Sequence, residues 1–319
     1  EISACLVGSE MCIRDSWLDG LYISKKGRKA MLETILQLLI TGVALGFVYA
    51  LVGVEYTLVW QSSGLLNVAH NMLITTAAFV FGGTFVVGLG WPIWLSILCT
   101  LVVMFVLGCL ISATIFNPLR NMPLTMYSIV GTQIFAKVIS EALRLIYGPY
   151  SFTIPGFLTG VIKIGDFVFA KAYGYIIVVA ILLIIALQMF LKLTKPGKAM
   201  RCVAQNKTAA AIMGIDIDRS INITTGLSCV VCGIIGILTI PLFTISLTMS
   251  NMIGLKGWAA GIVGGFGYIP GTILGGLLIG VVESLAILFI PTVYKDIVAF
   301  VFLIVVLLIR PGGFMRHKV

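Results

Sequence analysis

The residues with the most chemistry to offer are amides and an imidazole placed among apolar neighbours: Gly64 to Asn71 reads GLLNVAHN. On a helix, Asn67 and His70 stand three residues apart and Asn67 and Asn71 four, so the three polar side chains share one face. Such a face offers hydrogen bonds without net charge, either to a polar solute passing it or to a neighbouring helix. A second candidate is GIVGGFGYIPGTILGG, Gly261 to Gly276, where Gly264, Gly265, Gly267, Pro270 and Gly271 break a helical run. Backbone unwound at membrane depth is tolerated mainly where it lines a cavity, whereas the same glycines at Gly-x-x-x-Gly spacing would pack helices closely. The third candidate is GKAMRCVAQNKTAAAIMGID, Gly197 to Asp216. Its Ala199, Cys202 and Val203, then Ala210, Met213 and Gly214, predict a short helix and turn with one apolar face. Beside basic residues that face is suited to docking a partner. No nucleophile, base and acid cluster together, so no catalytic residues are assigned. Cys229 and Cys232 form a C-x-x-C pair inside an apolar run and read as buried packing rather than a redox or metal site; no metal or cofactor is expected.

Membrane-spanning helices must position these residues. Apolar residues make up 60% of the 319, charged residues 10%, and mean hydropathy is +1.12, whereas soluble domains are about a quarter charged. Uncharged runs of about 20 residues recur, each long enough for a hydrocarbon core roughly 30 Å thick. In lipid only helices or closed barrels satisfy their own backbone, and Tyr175 to Phe190 lacks the alternation of a barrel strand. The expected class is all-α: one polytopic transmembrane helical bundle of about eight to ten membrane segments, with one broken or re-entrant helix near Pro270. The net charge of +9 sits mostly in short connections, a positive-inside pattern rather than a nucleic-acid footprint.

The spans are expected at Leu32 to Val59, Leu65 to Val87, Ile93 to Phe116, Leu124 to Tyr147, Ala172 to Leu193, Ile221 to Ile245, the broken Gly257 to Gly280, and Ile297 to Ile309. A polar turn, Gln61 to Gly64, separates the first two. In the fourth, Lys137, Glu141 and Arg144 can share a face, either as a polar pathway lining or as a snorkelling helix end. Gly148 to Lys171 reads as an ordered external loop. The basic connection with Lys195, Lys198, Arg201 and Lys207 and the tail with Arg316 both read as cytoplasmic, so an even number of crossings must separate them. The broken stretch then either enters and leaves on one side or crosses as two short helices around Pro270. Counting backward gives about nine crossings and an external amino terminus.

Cys5 to Ser16 reads CLVGSEMCIRDS and resembles the translation of a transposon-type adapter used in preparing sequencing libraries. Residues 1–30 are therefore expected to be a non-native extension, with a single transmembrane domain at 31–319 beginning at Met31. The alternative is a signal peptide or basic arm carrying Lys25, Lys26, Arg28 and Lys29.

The three candidate segments, in this order, resemble the permease subunit of bacterial ABC importers for branched-chain amino acids. Gly64, Leu65, Leu66, Asn67, Ala69 and His70 match that family's GLLNFAHGE-like element, with Asn71 and Met72 in place of its Gly-Glu. Gly197, Ala199, Met200, Arg201, Val203 through Asn206, Ala209, Ala210 and Met213 through Asp216 match its internal loop. The glycine-rich stretch to Glu283 and the Tyr294, Lys295, Asp296 ending match as well. The resemblance implies an ATPase-coupling loop at Lys198, Arg201, Gln205, Asn206, Thr208, Ala209, Ala210 and Gly214, and a substrate pathway at Asn67, His70, Asn71, Gly264, Gly265, Gly267, Pro270 and Gly271. It also implies a multi-pass protein of the inner membrane, partnered by a second permease subunit, two ATP-binding subunits and a periplasmic or extracellular solute-binding protein. No G-x-x-x-x-G-K-[ST] occurs in the chain, so ATP hydrolysis is expected in separate subunits. A secondary transporter or channel acting without an ATPase is the competing expectation.

Overall fold

A chain of charge-poor runs punctuated by glycine, proline and basic turns folds as a series of helices. The computed structural model describes residues 34–64, 67–120, 125–154, 156–158, 160–164, 167–310 and 312–315. Expectations for residues 1–30, Met31, Leu65, Leu66 and Arg316 lie outside the described residues. Helix α1 is Thr34–Ser63. Helix α2 (His70–Phe79) continues as π-helix to Gly88, and α3 (Ile93–Ile111) continues likewise to Phe116 and into the short α4 (Asn117–Arg120). Helix α5 (Thr125–Tyr147) precedes an antiparallel hairpin, β1 (Val161–Ile164) and β2 (Phe167–Ala170), with Val161 opposite Ala170. Then follow α6 (Lys171–Leu193), α7 (Lys195–Gln205), α8 (Lys207–Ile212), α9 (Ile217–Thr239), α10 (Asn251–Gly264), α11 (Ile269–Ala286) and α12 (Lys295–Ile309).

Seven helical segments among the described residues are long and apolar enough to cross a bilayer: α1, α2 with its π extension, α3 with its own, α6, α9, α11, and α12 with the 3-10 turn Thr292–Tyr294 before it. Outside that set are α5, which carries Lys137, Glu141 and Arg144, and α10, which has only 14 residues. The bundle is the all-α membrane fold expected, and the hairpin between α5 and α6 is an addition that the Pro- and Gly-rich sequence there did not announce.

Several boundaries differ from the sequence reading; α9, for one, covers Ile217–Thr239 where Ile221 to Ile245 was expected. The first helix runs through Gln61 and ends only at Gly64, whose φ is 72°, because the Ser62 and Ser63 hydroxyls donate back to the Val59 carbonyl at 3.2 and 2.7 Å and so stay satisfied inside a helix. The next helix starts at His70, so Asn67 does not share a helical face with His70 and Asn71. It sits in the preceding turn, where its Oδ1 accepts the Ala69 N–H at 3.0 Å. The break in the glycine stretch falls at Gly265 and Gly267, with φ of 105° and 93°, and Pro270 lies in the first turn of α11. Proline is tolerated there because that turn's N–H groups have no partner within the helix. The stretch is thus two helices, the 14-residue α10 and the 18-residue α11, parted before Pro270 rather than at it.

Helices in lipid gain little by hiding apolar surface from one another, so small residues that let backbones touch decide the pairing. Gly42 lies against Gly280 and Ser284, Gly46 against Leu277, and Ala50 against Gly276, which sets α1 antiparallel to α11. Gly264 backs onto Gly271 and Ala260 onto Gly275, which joins α10 to α11; Gly53 meets Gly257 across α1 and α10. On the other side of the bundle Gly108 and Gly226 bring α3 against α9, and Gly236 brings α9 against Ile74 and Ala77 of α2. Side chains such as Leu73, Ile74, Met104, Ile235 and Ile253 fill the space between. A Cβ at Gly280 would meet the Gly42 carbonyl and the Gly46 backbone, neither of which can yield. Gly280→Val is therefore expected to part α1 from α11 and to cost about 1–3 kcal/mol, read as a lower unfolding temperature in detergent.

One end of the bundle gathers several segments distant in sequence. Gln61 donates to the Gly267 carbonyl, Phe314 N–H to the Val263 carbonyl at 2.9 Å, and Lys207 Nζ to the Ser63 carbonyl at 2.6 Å. The α7–α8 connection and the chain's carboxyl-terminal residues therefore share an end, as parity required. At the opposite end Tyr147 meets Thr84, and Phe152 exchanges backbone hydrogen bonds with Ile245 at 3.1 and 3.0 Å.

Candidate functional site

Three helices deliver polar groups to one buried point. Glu55 from α1, His70 from the start of α2 and Cys232 from α9 are each fully buried, with one candidate ligand atom apiece inside a 4.8 Å span. Glu55 Oε1 pairs with His70 Nδ1 and lies 2.7 Å from Cys232 Sγ, which in turn lies 3.8 Å from His70 Nδ1. Glu55 Oε2, His70 Nε2 and Asn67 Nδ2 have no hydrogen-bond partner. Tyr56 sets its ring edge-on to His70, centroids 5.1 Å apart, and donates its hydroxyl to Asn71 Oδ1 at 3.0 Å. The Asn71 side chain is seated against Gly254, where any Cβ would collide with it, and the Asn71 backbone carbonyl accepts the Ser250 hydroxyl. The mouth of α10 and the start of α2 are thus joined through Asn71.

A second polar knot lies among α1, α10, α11 and α12. Lys256 Nζ is 2.7 Å from Glu283 Oε1 and 2.6 Å from Asp296 Oδ1, and it stands 5.4 Å from the centre of the Tyr49 ring. Lys295 Nζ reaches Glu283 at 3.9 Å. Burying a charge is tolerable when it is paired in this way. The sequence reading singled out Glu283, Lys295 and Asp296 within a family pattern but missed Lys256. Its signal was available, since a lone cation within Asn251–Gly264 is costly in lipid unless it has a task or a partner.

The structure brings His70 and Asn71 together, with Asn67 in the adjoining turn, but it keeps the glycine break apart from them. Gly264 and Gly271 touch each other as packing residues, Gly265 lies against Met315 and Gly312, and Gly267 has open space around it at the end of the bundle. Pro270 is exposed beside them. Lys137, Glu141 and Arg144 are exposed on the outer face of α5, with Glu141 and Arg144 paired at 3.3 Å; they do not face the interior. Cys229 and Cys232 are buried as expected, yet Cys232 also belongs to the Glu55 and His70 cluster, a contact that sequence spacing did not reveal.

The basic connection is ordered by its own caps. Thr194 Oγ1 accepts the Gly197 N–H at 3.1 Å to start α7, Asn206 Oδ1 accepts the Ala209 N–H at 3.0 Å to start α8, and Asp216 Oδ1 accepts the Arg219 N–H at 3.0 Å to start α9. Gly197, Met200 and Val203 form the buried face of α7, and Ala210 is buried on α8. The exposed apolar face expected there is only partly formed: Cys202, Met213 and Gly214 are exposed, whereas Val203 and Ala210 turn inward, because the buried stripe follows positions 197, 200 and 203. Lys198, Arg201, Gln205, Thr208, Ala209 and Gly214 are exposed, as are Ile212 and Met213, at 82% and 80%.

Residues 38–307 match the family described as "Branched-chain amino acid transport system / permease component". The chain is 29% identical over 295 residues to the high-affinity branched-chain amino acid transport system permease protein LivH of Escherichia coli K12, covering 88% of this chain and 95% of that protein. It is 28% identical, with the same coverage, to the permease protein BraD of Pseudomonas aeruginosa. The fructose import permease protein FrcC of Rhizobium meliloti is 28% identical over 246 residues, 73% of this chain and 66% of that one. Among solved structures, PsaBC from Streptococcus pneumoniae in complex with Fab shares the fold with a TM-score of 0.51 and 16% identity, over 87% of this chain and 92% of that chain.

Proposed function

Because the chain belongs to the permease-component family of branched-chain amino acid transport systems, we propose that it forms the membrane pathway through which an ATP-driven importer moves branched-chain amino acids or a related small polar solute. It is a multi-pass inner-membrane protein that works with other ABC importer components. Those components are a second permease subunit, two ATP-binding subunits and an external solute-binding protein. ATP is hydrolysed by the partners, consistent with the absence of a phosphate-binding Gly-x-x-x-x-Gly-Lys-[Ser/Thr] loop in this chain.

The observation that carries the ATP-coupled reading is the capped, exposed α7–α8 surface at the end where α1, the α10–α11 turn and the carboxyl-terminal residues meet. Its basic residues place it on the cytoplasmic side. Lys207 ties α8 to the end of α1, so a push on α8 reaches the helix that holds Glu55 and Tyr56. Closure of the motor subunits would then shift packed helices as rigid bodies and alternate access to the pathway. Asn67, His70 and Asn71 supply its polar groups at the core, and of the glycine break Gly267 and Pro270 face open space at its cytoplasmic end, with Gly264, Gly265 and Gly271 packed behind them.

Co-expression with the ATPase and binding-protein subunits tests the reading. The expected outcome is recovery of a complex and uptake of leucine into proteoliposomes only when ATP and the binding protein are present. Uptake by this chain alone in ATP-free vesicles, with no ATPase recovered, would reject it.

A further inference from the structure

We propose that Glu55, His70 and Cys232 form a binding site for one divalent transition-metal ion of the zinc class, fastening α1, α2 and α9 at the centre of the bundle. The inference goes beyond the transport reading and stands whichever solute is carried. Carboxylate, imidazole and thiol are the three side-chain donors zinc takes, and tetrahedral bonds of about 2.0 Å to nitrogen and 2.3 Å to sulfur put neighbouring ligand atoms about 3.5 Å apart. Cys232 Sγ and His70 Nδ1 are 3.8 Å apart, close to that spacing, whereas Glu55 Oε1, at 2.7 Å from Cys232 Sγ and in contact with His70 Nδ1, sits nearer than co-ligands do and must draw back by side-chain rotation to admit the ion. The fully buried Glu55 Oε2 has no other partner, so a chelating carboxylate fills the fourth position. Charge favours the same arrangement. On binding, the thiol proton and any proton on His70 Nδ1 leave to solvent, and the ion's two positive charges offset one thiolate and one carboxylate, which leaves a neutral site in a medium that penalises net charge.

The test uses the full chain, purified in detergent without a polyhistidine tag, stripped with a chelator and reloaded with Co2+ or Zn2+. The expected result is one ion per chain, a thiolate-to-Co2+ charge-transfer band, and one sulfur in the zinc coordination shell by X-ray absorption. Cys232→Ser is expected to abolish the band, and Glu55→Gln to weaken Co2+ binding by more than about tenfold. Loading well below one ion per chain, a zinc shell without sulfur, or a band that persists in Cys232→Ser would overturn the site and leave the cluster as a buried Glu55–His70 ion pair. Should Cys232→Ser fail to fold, the absorption spectrum of the unmodified chain decides by itself.

Discussion

Lys256→Met is expected to destabilise the bundle by about 3–5 kcal/mol, the usual cost of removing one partner from a buried ion pair. The ammonium is the contact that Glu283 Oε1 and Asp296 Oδ1 share, at 2.7 and 2.6 Å, and Glu283 Oε2 already has no partner. Lys295 makes only a longer contact with Glu283, at 3.9 Å. Without Lys256 a carboxylate would stay buried and charged among α10, α11 and α12, or would have to take up a proton. The double variant Lys256→Met, Glu283→Gln is expected to recover much of the loss, because the fully buried pair is then removed together and the remaining Asp296, one-third exposed, can be hydrated. Unfolding temperatures of the purified single and double variants measure both effects. A single variant as stable as the parent would show that the knot contributes nothing.

Ile212→Asp combined with Met213→Asp is expected to abolish ATP-dependent uptake while leaving the unfolding temperature within experimental scatter. These side chains are 82% and 80% exposed on the chain itself, so the permease loses no packing of its own. If a motor subunit covers them, each forfeits burial worth about 1.5–3 kcal/mol, and 1.4 kcal/mol is already tenfold in affinity. Pull-down of the ATPase with the variant, next to substrate uptake, reads both quantities. Full uptake by a variant that still assembles would move the coupling surface elsewhere.

Local composition made much of the architecture legible. The ends of α5 and α6, and of α3 with its π-helical extension, fall within a residue of where charge, proline and glycine placed them, because a helix in lipid satisfies its own backbone and its length is set by the apolar run. The α7–α8 connection was legible only as one short helix and a turn; that it is two helices follows from Thr194, Asn206 and Asp216, each of which caps a helix with its own side chain. The polar core was not legible. Glu55 and His70 are separated by a helix end, and Cys232 lies 162 residues beyond His70; Lys256 is 27 residues from Glu283 and 40 from Asp296. Hydropathy says which stretches enter the bilayer and nothing about which of them touch. That choice was made by Gly42, Gly46, Gly53 and Gly236, at which backbones come close enough to bring particular helix faces together, and only then do an acid, an imidazole and a thiol on three helices become one site.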